Sequence, residues 1–417
     1  MPAAHAIAAC GVRRAEWIRN MPGTVCELET PSIQNPKSEI QNLRGVHVLM
    51  VAEGSGGHLI PALEVARDLR RRGASVRVLY ARRAQAGGVL QGIVLEAEAD
   101  GVQLHPIDVS MVRPRAMRLF GRLAQAGRVW RLARRLCGAS PPHVVVGFGG
   151  WVSVPVVLAA RRAGIPVLLH EQNVRLGRAN RFLRRWAQMI AVSFEPSRQE
   201  CQGRPVVVSG VPIRHAIGTA TRQEAAARLG LDPDALTVLI LGGSQGARAV
   251  NQLACGLVSG LTDRERASWQ FVHLTGVSDH AAVQAAYAAA RARGWVTAHL
   301  GRMDWAYAVA DVVIARAGAS TIAELARCGL PACLIPYPYA NGHQRENARV
   351  VASIGAGVWL EESAASSTRL LQSLRALLTD AGRRVRMGAQ MARLSTPDAT
   401  THLASAIVQL ARAHAQR

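Results

Sequence analysis

The sequence predicts an α/β protein with two doubly wound domains that face one another across a cleft. Two segments carry this prediction, VHVLMVAEGSGGH at residues 46–58 and TVLILGGSQG at residues 237–246. In each segment a run of apolar β-forming residues is followed directly by several glycines. Helical patterns come next, at residues 61–72 and 247–257. A buried parallel strand that leads through a glycine-rich turn into a helix presents backbone N–H groups to an anion. Two such units indicate phosphate chemistry between two domains.

Length and composition agree with two domains. The 417 residues and the 49% hydrophobic content suffice for two cores of ordinary size. The net charge of +22 is nearly all arginine, because Lys37 is the single lysine. Asp and Glu are absent from residues 109–170, so we expect one face of the first domain to be strongly positive. The seven cysteines form no CxxC pair and are expected to be reduced thiols of a cytoplasmic protein.

Strand and helix patterns alternate along most of the chain, as is typical of parallel doubly wound sheets. Residues 1–44 show no sustained helical or strand periodicity of apolar residues, and we expect a poorly ordered extension there. We expect residues 45–213 to form the first domain and residues 214–396 the second. The predicted strands are 46–52, 76–81, 143–146, 166–170, 189–192 and 206–209 in the first domain, then 237–241, 270–274, 296–300, 311–315, 332–336 and 358–361, with a last helix at 399–412.

Polar side chains follow several predicted strands. His58 comes directly after the glycines of the first turn, where an imidazole can act as a general base near pH 7, although a surface histidine is the simpler alternative. Residues 170–173, HEQN, end an apolar strand with four hydrogen-bonding side chains, which favours binding over packing. Residues 147–153 are either an ordinary connecting loop or a second wall of the same pocket.

The second half carries a comparable set. Residues 316–324 offer backbone donors at a helix start and a carboxylate one turn later. Either Thr321 and Glu324 cap this helix, or Glu324 accepts hydrogen bonds from the hydroxyls of a ribose. The amides of residues 341–347 can bind sugar hydroxyls. The DxD-like run at residues 232–234 lies in a turn before a strand, so the sequence predicts no metal site.

Seven ordered segments resemble the MurG family of peptidoglycan N-acetylglucosaminyltransferases, which have the GT-B fold. The resemblance covers residues 45–412 and implies two Rossmann-like domains across a cleft, with a helix within residues 397–417 returning to the first domain. The segments are GSGGHLIPALEVA at 54–66, GFGGWVSVP at 147–155, HEQNVRLGRANRFL at 170–183, GVPIR at 210–214, LGGSQGARAVN at 241–251, DWAYAVADVVIARAGASTIAELARCGLP at 304–331 and HQRENA at 343–348.

The resemblance implies an inverting enzyme that moves GlcNAc from UDP-GlcNAc to the 4-hydroxyl of undecaprenyl-pyrophosphoryl-MurNAc-pentapeptide. It implies no metal and no cofactor. It also implies a peripheral protein on the cytoplasmic side of the cell membrane, with other cell-wall synthesis proteins as partners. Nucleic acid is not an expected partner, because the region without acidic residues lacks interleaved aromatic residues and a helix-turn-helix or RRM motif.

The resemblance also implies roles for individual residues. In the second domain, Arg214 and Ser244 contact the diphosphate, the backbone near Leu300 binds uracil, and Gln344 holds the sugar. His58 is the candidate general base or acceptor orienter, with Glu171 as support. The remaining substrate-binding residues are Ser55, Gly56, Gly57 and Asn173 from the first domain, and Ala319, Ser320, Thr321, Ile322, Ala323 and Glu324 around the phosphates and ribose.

Some positions depart from the family pattern. Glu53 and Val154 stand where the family tends to have glycine, and Trp151 replaces a tyrosine, so we expect an acceptor pocket of different shape. Two other activities remain as alternatives. A UDP-GlcNAc 2-epimerase would need acidic groups near C2 of the sugar and no acceptor. A GT-B lipid glycosyltransferase would act on a diacylglycerol-type acceptor and not on a muramyl one.

The strongest positive segment is residues 111–136, where apolar residues alternate with eight arginines. Because Gly121 and Gly127 interrupt its pattern, we expect helical pieces and not one long helix. A solvated helix packed on the sheet is the alternative, but acidic partners at i+4 are missing, which favours contact with an anionic membrane surface. The uncharged stretch at 136–160 contains three prolines, so no transmembrane helix is predicted.

Overall fold

Two parallel β-sheets, each between layers of helices, form the framework of the computed structural model. It describes residues 42–82, 88–108, 118–138, 140–243, 246–339 and 342–415. Each sheet is covered on both faces by a separate hydrophobic cluster, as expected for doubly wound domains. Within these described residues, none of the helices has the length and apolar character needed to cross a bilayer.

The first sheet has seven parallel strands in the order β3-β2-β1-β4-β5-β6-β7. The order reverses between β1 and β4, and such a reversal opens a crevice at the carboxyl ends of the strands. The elements are β1 (His47–Ala52), α1 (Gly56–Arg71), β2 (Ser75–Arg82), α2 (Gly88–Ala99), β3 (Gln103–Asp108), α3 (Arg118–Gly138), β4 (Val144–Gly147), α4 (Ser153–Arg162), β5 (Val167–Glu171), α5 (Arg178–Leu183), β6 (Met189–Val192) and β7 (Val206–Val208).

The second sheet has six parallel strands in the order β10-β9-β8-β11-β12-β13, with its reversal between β8 and β11. Its elements begin with α6 (Arg222–Leu229), β8 (Leu236–Leu241), α7 (Arg248–Ser259), α8 (Asp263–Ser268), β9 (Trp269–Leu274), α9 (His280–Ala289) and β10 (Gly294–Thr297). They continue with α10 (Met303–Val309), β11 (Val312–Ala315), α11 (Ala319–Cys328), β12 (Ala332–Leu334), α12 (His343–Ser353), β13 (Gly357–Trp359), α13 (Ser367–Leu378) and α14 (Ala381–Ala392).

The last helix, α15 (Ala399–Ala415), returns to the first domain, as the family resemblance implied. Leu403, Ile407 and Ala411 are buried in the hydrophobic cluster that also contains residues of β1 and α1. At the other end of the described chain, Leu43 is fully buried in the same cluster. The folded part of the first domain therefore includes Leu43, although the sequence predicts that residues 1–44 form a poorly ordered extension.

The described part of the arginine-rich segment, from Arg118 onward, forms one continuous helix, α3, and the expectation of separate helical pieces was wrong there. Val129, Ala133 and Cys137 follow one another at intervals of four and are buried between the sheet and α4. A glycine inside a helix costs about 1 kcal/mol, which the burial of such an apolar stripe offsets. Helix α3 therefore runs through Gly121 and Gly127.

Two strand predictions and one helix prediction need correction. Strand β3 was missed because its sequence, QLHPID, contains Pro106 and is half exposed, and proline within a strand is typical of a sheet edge. Strand β10 ends at Thr297, so Leu300 lies beyond the strand predicted for residues 296–300. Helix α1 begins at Gly56, ahead of the predicted start at Pro61, and this places His58 in its first turn.

Candidate active site

The turns that follow β1 and β4 meet at the point where the first sheet reverses its strand order. Gly54 lies on the β1 turn and packs on the end of β2, where a Cβ atom would lie 1.6 Å from the carbonyl oxygen of Ala81. Only glycine allows so close an approach. On the β4 turn, Gly149 packs against the ring of His58, at 3.2 Å from Cδ2 to an ideal Cβ. The two glycine-rich turns therefore hold the imidazole between them.

His58 is oriented by Ser55. Ser55 is the N-cap residue of α1, but its hydroxyl makes no capping bond and lies 2.8 Å from Nδ1 of His58 instead. When Nδ1 carries the hydrogen and donates it to Ser55 Oγ, Nε2 of the neutral ring is a proton acceptor. This geometry fits the predicted role of His58 as a general base.

A cavity of about 500 Å³ opens beside His58. Trp151 and Val154, two of the positions that depart from the family pattern, both line it together with Phe182. The second domain contributes His343, which the sequence analysis did not select. The other lining residues with polar side chains are Glu171, Asn173, Arg178 and Asn180.

Glu171 anchors the loop that follows β5. Its buried carboxylate accepts four hydrogen bonds: Oε1 from the backbone N–H (3.0 Å) and the side-chain Nδ2 (3.2 Å) of Asn173, and Oε2 from Gly177 N (2.8 Å) and Asn180 Nδ2 (2.9 Å). A carboxylate that accepts four hydrogen bonds fixes the orientation of its donors. Glu171 therefore positions Asn173 beside the cavity.

His170 and Gln172 have structural roles. Fully buried His170 has Nε2 3.1 Å from Gly210 O and Nδ1 3.1 Å from Gln172 Nε2, and burial lowers the pKa of this imidazole to about 4. Gln172 also donates to Phe148 O at 3.1 Å. Of the four polar side chains in HEQN, Glu171 and Asn173 line the cavity, whereas these two support the backbone around it.

In the second domain, Glu324 lies on α11 beneath the turn that follows β11. Its Oε2 accepts a hydrogen bond of 2.6 Å from the buried Tyr307 hydroxyl, and its Oε1 lies 3.7 Å from Nη2 of Arg214. The N-cap residue of α11 is Gly318, without a side-chain capping bond, so the capping alternative for Thr321 and Glu324 is wrong. Burial raises the pKa of the Glu324 carboxyl, and Arg214 opposes that shift.

Arg214 lies between the two domains on the chain that connects them. It donates to Gly301 O at 3.2 Å and faces Glu324 of the second domain. Its charge also acts on Glu64 of α1. Burial raises the pKa of the Glu64 carboxyl, and the nearby positive charges of Arg67 and Arg214 oppose that shift. Within the described residues its Nε atom is buried without a hydrogen-bond partner. A guanidinium with an unused buried donor suits an anionic ligand.

The other residues that were predicted to bind substrate differ in burial and in their partners. Ser320 lies in the first turn of α11, and its hydroxyl is buried without a partner among the described residues. Leu300 is buried in the second core, and Gln344 accepts a hydrogen bond from Tyr337 N at 2.9 Å. Ser244 lies outside the described residues. Gly56, Ala319 and Ile322 are buried, Ser55, Thr321 and Ala323 are half-buried, and Gly57 is exposed.

Known proteins resemble this chain along most of its length. The N-terminal domain of glycosyltransferase family 28 matches residues 48–192 and the C-terminal domain of that family matches residues 237–403. The UDP-N-acetylglucosamine–N-acetylmuramyl-(pentapeptide) pyrophosphoryl-undecaprenol N-acetylglucosamine transferase of Acidithiobacillus ferrooxidans is 39% identical over 369 residues, or 87% of this chain and 98% of the relative. The enzyme of the same name from Halothermothrix orenii is 34% identical over 376 residues, or 86% and 97%.

The chain belongs to the MurG family of glycosyltransferases. The crystal structure of Acinetobacter baumannii MurG superposes with a TM-score of 0.66 at 29% identity, covering 87% of this chain and 99% of that one. The GT-B fold implied by the sequence resemblance is thereby confirmed. Both glycine-rich turns and both strand-order reversals of the site lie within the two family 28 domains.

The contacts of three residues of this region are not predicted by the sequence. Tyr307 lies inside a segment that carries the family resemblance, but no local pattern marks it, and Asn347 lies in residues 341–347, whose amides were expected to bind sugar and not protein groups. Their partners, Glu324 for Tyr307 and Asn173 for Asn347, are distant along the chain or in the other domain. His343 precedes the predicted Gln344 and lines the cavity of the first domain. The Asn347–Asn173 contact and the position of His343 at the cavity depend on how the two domains pack, whereas Tyr307 and Glu324 meet within the second domain.

Proposed function

We propose that this chain transfers GlcNAc from UDP-GlcNAc to the 4-hydroxyl of lipid-linked MurNAc-pentapeptide, with inversion at the anomeric carbon. The supporting observation is the identity of 34% to 39%, over nearly the whole length, to relatives that carry this activity in their names. No comparable feature favours an epimerase or a diacylglycerol glycosyltransferase. The product is the disaccharide lipid precursor of peptidoglycan.

In the proposed mechanism His58 is the base. The acceptor hydroxyl occupies the cavity beside His58 and gives its proton to Nε2, while Ser55 holds Nδ1. The hydroxyl oxygen forms a bond to C1 of GlcNAc as the bond from C1 to the UDP oxygen breaks on the opposite side. UDP leaves with the bonding electron pair, and the imidazolium then returns its proton to solvent.

The charge that develops on UDP requires stabilisation. Arg214 and the N-terminal turn of α11, with the Ser320 hydroxyl, supply positive charge and hydrogen-bond donors for the diphosphate. Glu324, held by Tyr307 and facing Arg214, accepts hydrogen bonds from the ribose hydroxyls. Asn173, which lines the cavity beside His58, completes the donor site from the first domain on the side of the GlcNAc ring.

Release of UDP tests this function directly. Purified protein is incubated with UDP-GlcNAc alone, with the muramyl lipid acceptor, and with diacylglycerol as a control acceptor. We expect strong release only with the muramyl lipid. Equal release in all three mixtures, or conversion of UDP-GlcNAc into its 2-epimer, would contradict the proposal.

We further propose that α3 binds the anionic cytoplasmic surface of the membrane that carries the acceptor. Its outer face presents exposed arginines without acidic partners along the helix, while its inner face packs on the first domain. Each arginine near anionic headgroups contributes about 1 kcal/mol of binding free energy, and this contribution is screened by salt. Among the α3 residues whose exposure the structure describes, 124–138, the exposed arginines are Arg128, Arg131, Arg134 and Arg135.

Vesicle sedimentation tests the membrane proposal. Replacement of Arg128, Arg131 and Arg135 by Glu should abolish binding to phosphatidylglycerol vesicles at low salt, and the wild type should dissociate at high salt. The matched control replaces three exposed arginines of the second domain, Arg369, Arg386 and Arg393, by Glu, with the same change in net charge. Equal loss in both variants would show a dependence on net charge alone and overturn the assignment of α3.

A further inference from the structure

We propose that Asn347 is a positioning residue that connects the two domains and fixes the side chain of Asn173 at the cleft. Asn347 lies on α12 in the second domain and is fully buried. Its side chain makes three hydrogen bonds, two of which cross to the first domain. The sequence predicts that the amides of residues 341–347 bind sugar hydroxyls. For Asn347 that expectation was wrong, because its amide is committed to protein partners.

Two backbone groups determine the orientation of the Asn347 amide. Oδ1 accepts from the backbone N–H of Val174 at 3.0 Å, and Nδ2 donates to the carbonyl oxygen of Ala317 at 3.0 Å. A backbone N–H can only donate and a carbonyl can only accept, so exchange of the amide oxygen and nitrogen would break both bonds. The second hydrogen of Nδ2 is then directed to Oδ1 of Asn173, at 3.1 Å.

The orientation of Asn173 follows from that of Asn347. Because Oδ1 of Asn173 accepts from Asn347, its Nδ2 faces the carboxylate of Glu171, at 3.2 Å, and the two bonds agree on one orientation. Nδ2 of Asn173 carries a second hydrogen, which remains to donate at the cavity that this residue lines. A residue of the second domain thus decides which atom the first domain presents to the ligand.

The loop that Asn347 holds is docked firmly in the second domain. Val174 and Phe194, both from the first domain, belong to the hydrophobic cluster that contains the core of the second domain. Ser197 Oγ donates to the carbonyl oxygen of Val174 at 2.7 Å and supports the same loop from behind. Ala317, the third partner of Asn347, directly precedes the N-cap of α11, where the diphosphate is proposed to bind. Asn347 therefore joins the loop of Asn173 to the backbone that leads into the donor site.

The inference rests on the proposed function, and Asn347→Asp tests it. Aspartate keeps the acceptor for Val174 but places a carboxylate oxygen against Ala317 O and Asn173 Oδ1. We expect kcat for GlcNAc transfer to fall by about ten- to a hundredfold, the range for loss of buried hydrogen bonds to a positioned group. The affinity for UDP, which contacts neither Asn173 nor Asn347 in this proposal, should change less than about threefold.

Gln270 provides a matched control. Its buried amide also accepts from a backbone N–H (Asp232, 3.1 Å) and donates to a backbone carbonyl and a side chain, but all its partners lie within the second domain at the start of β8 and β9. Gln270→Glu should lower thermal stability as Asn347→Asp does and leave kcat unchanged. Equal losses of kcat in the two variants would mean that destabilisation alone explains the effect, and the inference would be overturned.

A double-mutant comparison tests whether Asn347 acts through Asn173. In an Asn173→Ala background, Asn347→Asp should lower kcat by less than about threefold, because the group that it positions is already absent. Full additivity would overturn the inference. Asn347→Ala, which introduces no charge, is the second variant if the aspartate variant does not fold. Transfer by the wild type tests the proposed function separately.

Hydrogen exchange provides a measure that does not depend on activity. In Asn347→Ala the amide of Val174 loses its acceptor, so exchange over residues 172–177 should accelerate by at least tenfold, and Gln270→Glu should show no such change there. Unchanged exchange in Asn347→Ala would contradict the connection between the domains, whatever the assay of transfer shows.

Discussion

At the scale of single residues, the site combines side chains whose orientation is set by neighbours. His58 is held through Nδ1 by Ser55, and Glu171 is held by four donors on the following loop. Only one of these two, His58, is expected to exchange a proton with substrate. Glu171 contributes by fixing Asn173, and its mutation would act through that residue.

Replacement of His58 by Ala should lower turnover by roughly two to four orders of magnitude, the usual contribution of a positioned general base. Ser55→Ala should lower turnover by about tenfold, because it removes the partner that keeps the hydrogen on Nδ1. Neither change affects a core residue, so thermal unfolding should be nearly unchanged. Near-normal turnover in His58→Ala would remove this residue from the mechanism.

Glu324→Gln should weaken binding of UDP-GlcNAc by about ten- to a hundredfold, because a charge-assisted hydrogen bond to ribose is replaced by a neutral one. Tyr307→Phe keeps the carboxylate and removes only the 2.6 Å hydrogen bond that orients it, so a smaller loss, about fivefold, is expected. Calorimetric titration measures both. Unchanged affinity in Glu324→Gln, with a lower unfolding temperature, would make this residue structural.

The alternation of side chains along a strand explains why the sequence could not show which residues of HEQN, 170–173, face the cavity. Within β5, which ends at Glu171, the side chains of His170 and Glu171 project to opposite sides, since successive side chains of a strand alternate. In the residues that follow, Gln172 bonds to His170 and Asn173 bonds to Glu171, so each joins one of these two sides. The pattern predicted a polar site at the end of β5 but could not tell which side faces the cavity. That choice depends on the β4 turn and on contacts from the second domain, which no local pattern contains.

At the scale of elements, strands β5 and β9 each carry a buried histidine with a lowered pKa. Burial lowers the pKa of His170 and of His273 to about 4. Between pH 6.5 and pH 4 the unfolded chain binds protons at these positions and the folded chain does not. The contribution of these two neutral histidines to the free energy of unfolding is therefore complete above pH 6.5. It is lost as the pH falls toward 4, by about 3 kcal/mol for each histidine.

Urea unfolding at pH 7, 6, 5 and 4 measures this dependence. In His273→Gln, whose amide can still bond to Asn251 and Tyr287, the loss of stability over this pH range should be smaller than that of the wild type by about 3 kcal/mol, the contribution of one buried histidine. An unchanged pH dependence in the variant would mean that His273 titrates normally in the folded protein.

The elements themselves follow from the sequence where burial is complete. The strands that meet at the two points of reversal were predicted with ends within a few residues, because their apolar runs are continuous and glycines mark their ends. Strand β3 and the continuous helix α3 were missed. The edge strand has a weak apolar pattern, and the packing of α3 on α4 overrides the low helix propensity of its glycines.

At the scale of the whole molecule, two glycine-rich turns predicted two domains and a cleft, and the fold agrees. The contacts between the domains could not be predicted. Asn347 and Asn173 are distant in sequence, and Arg214 acts on carboxylates of both domains, so these contacts exist only after both sheets have formed. The proposed sites for the sugar donor and for the acceptor therefore depend on how the two domains pack, which the sequence pattern of neither domain predicts by itself.

The most direct test follows the transferred sugar. With UDP-GlcNAc labelled in the GlcNAc ring and the muramyl lipid as acceptor, the label should appear in the lipid, joined to the 4-hydroxyl in the β configuration, as inversion of the α-linked donor requires. The product is isolated by extraction, and its anomeric coupling is measured by NMR. Label that stays in a UDP-sugar, or an α-linked product, would contradict the account.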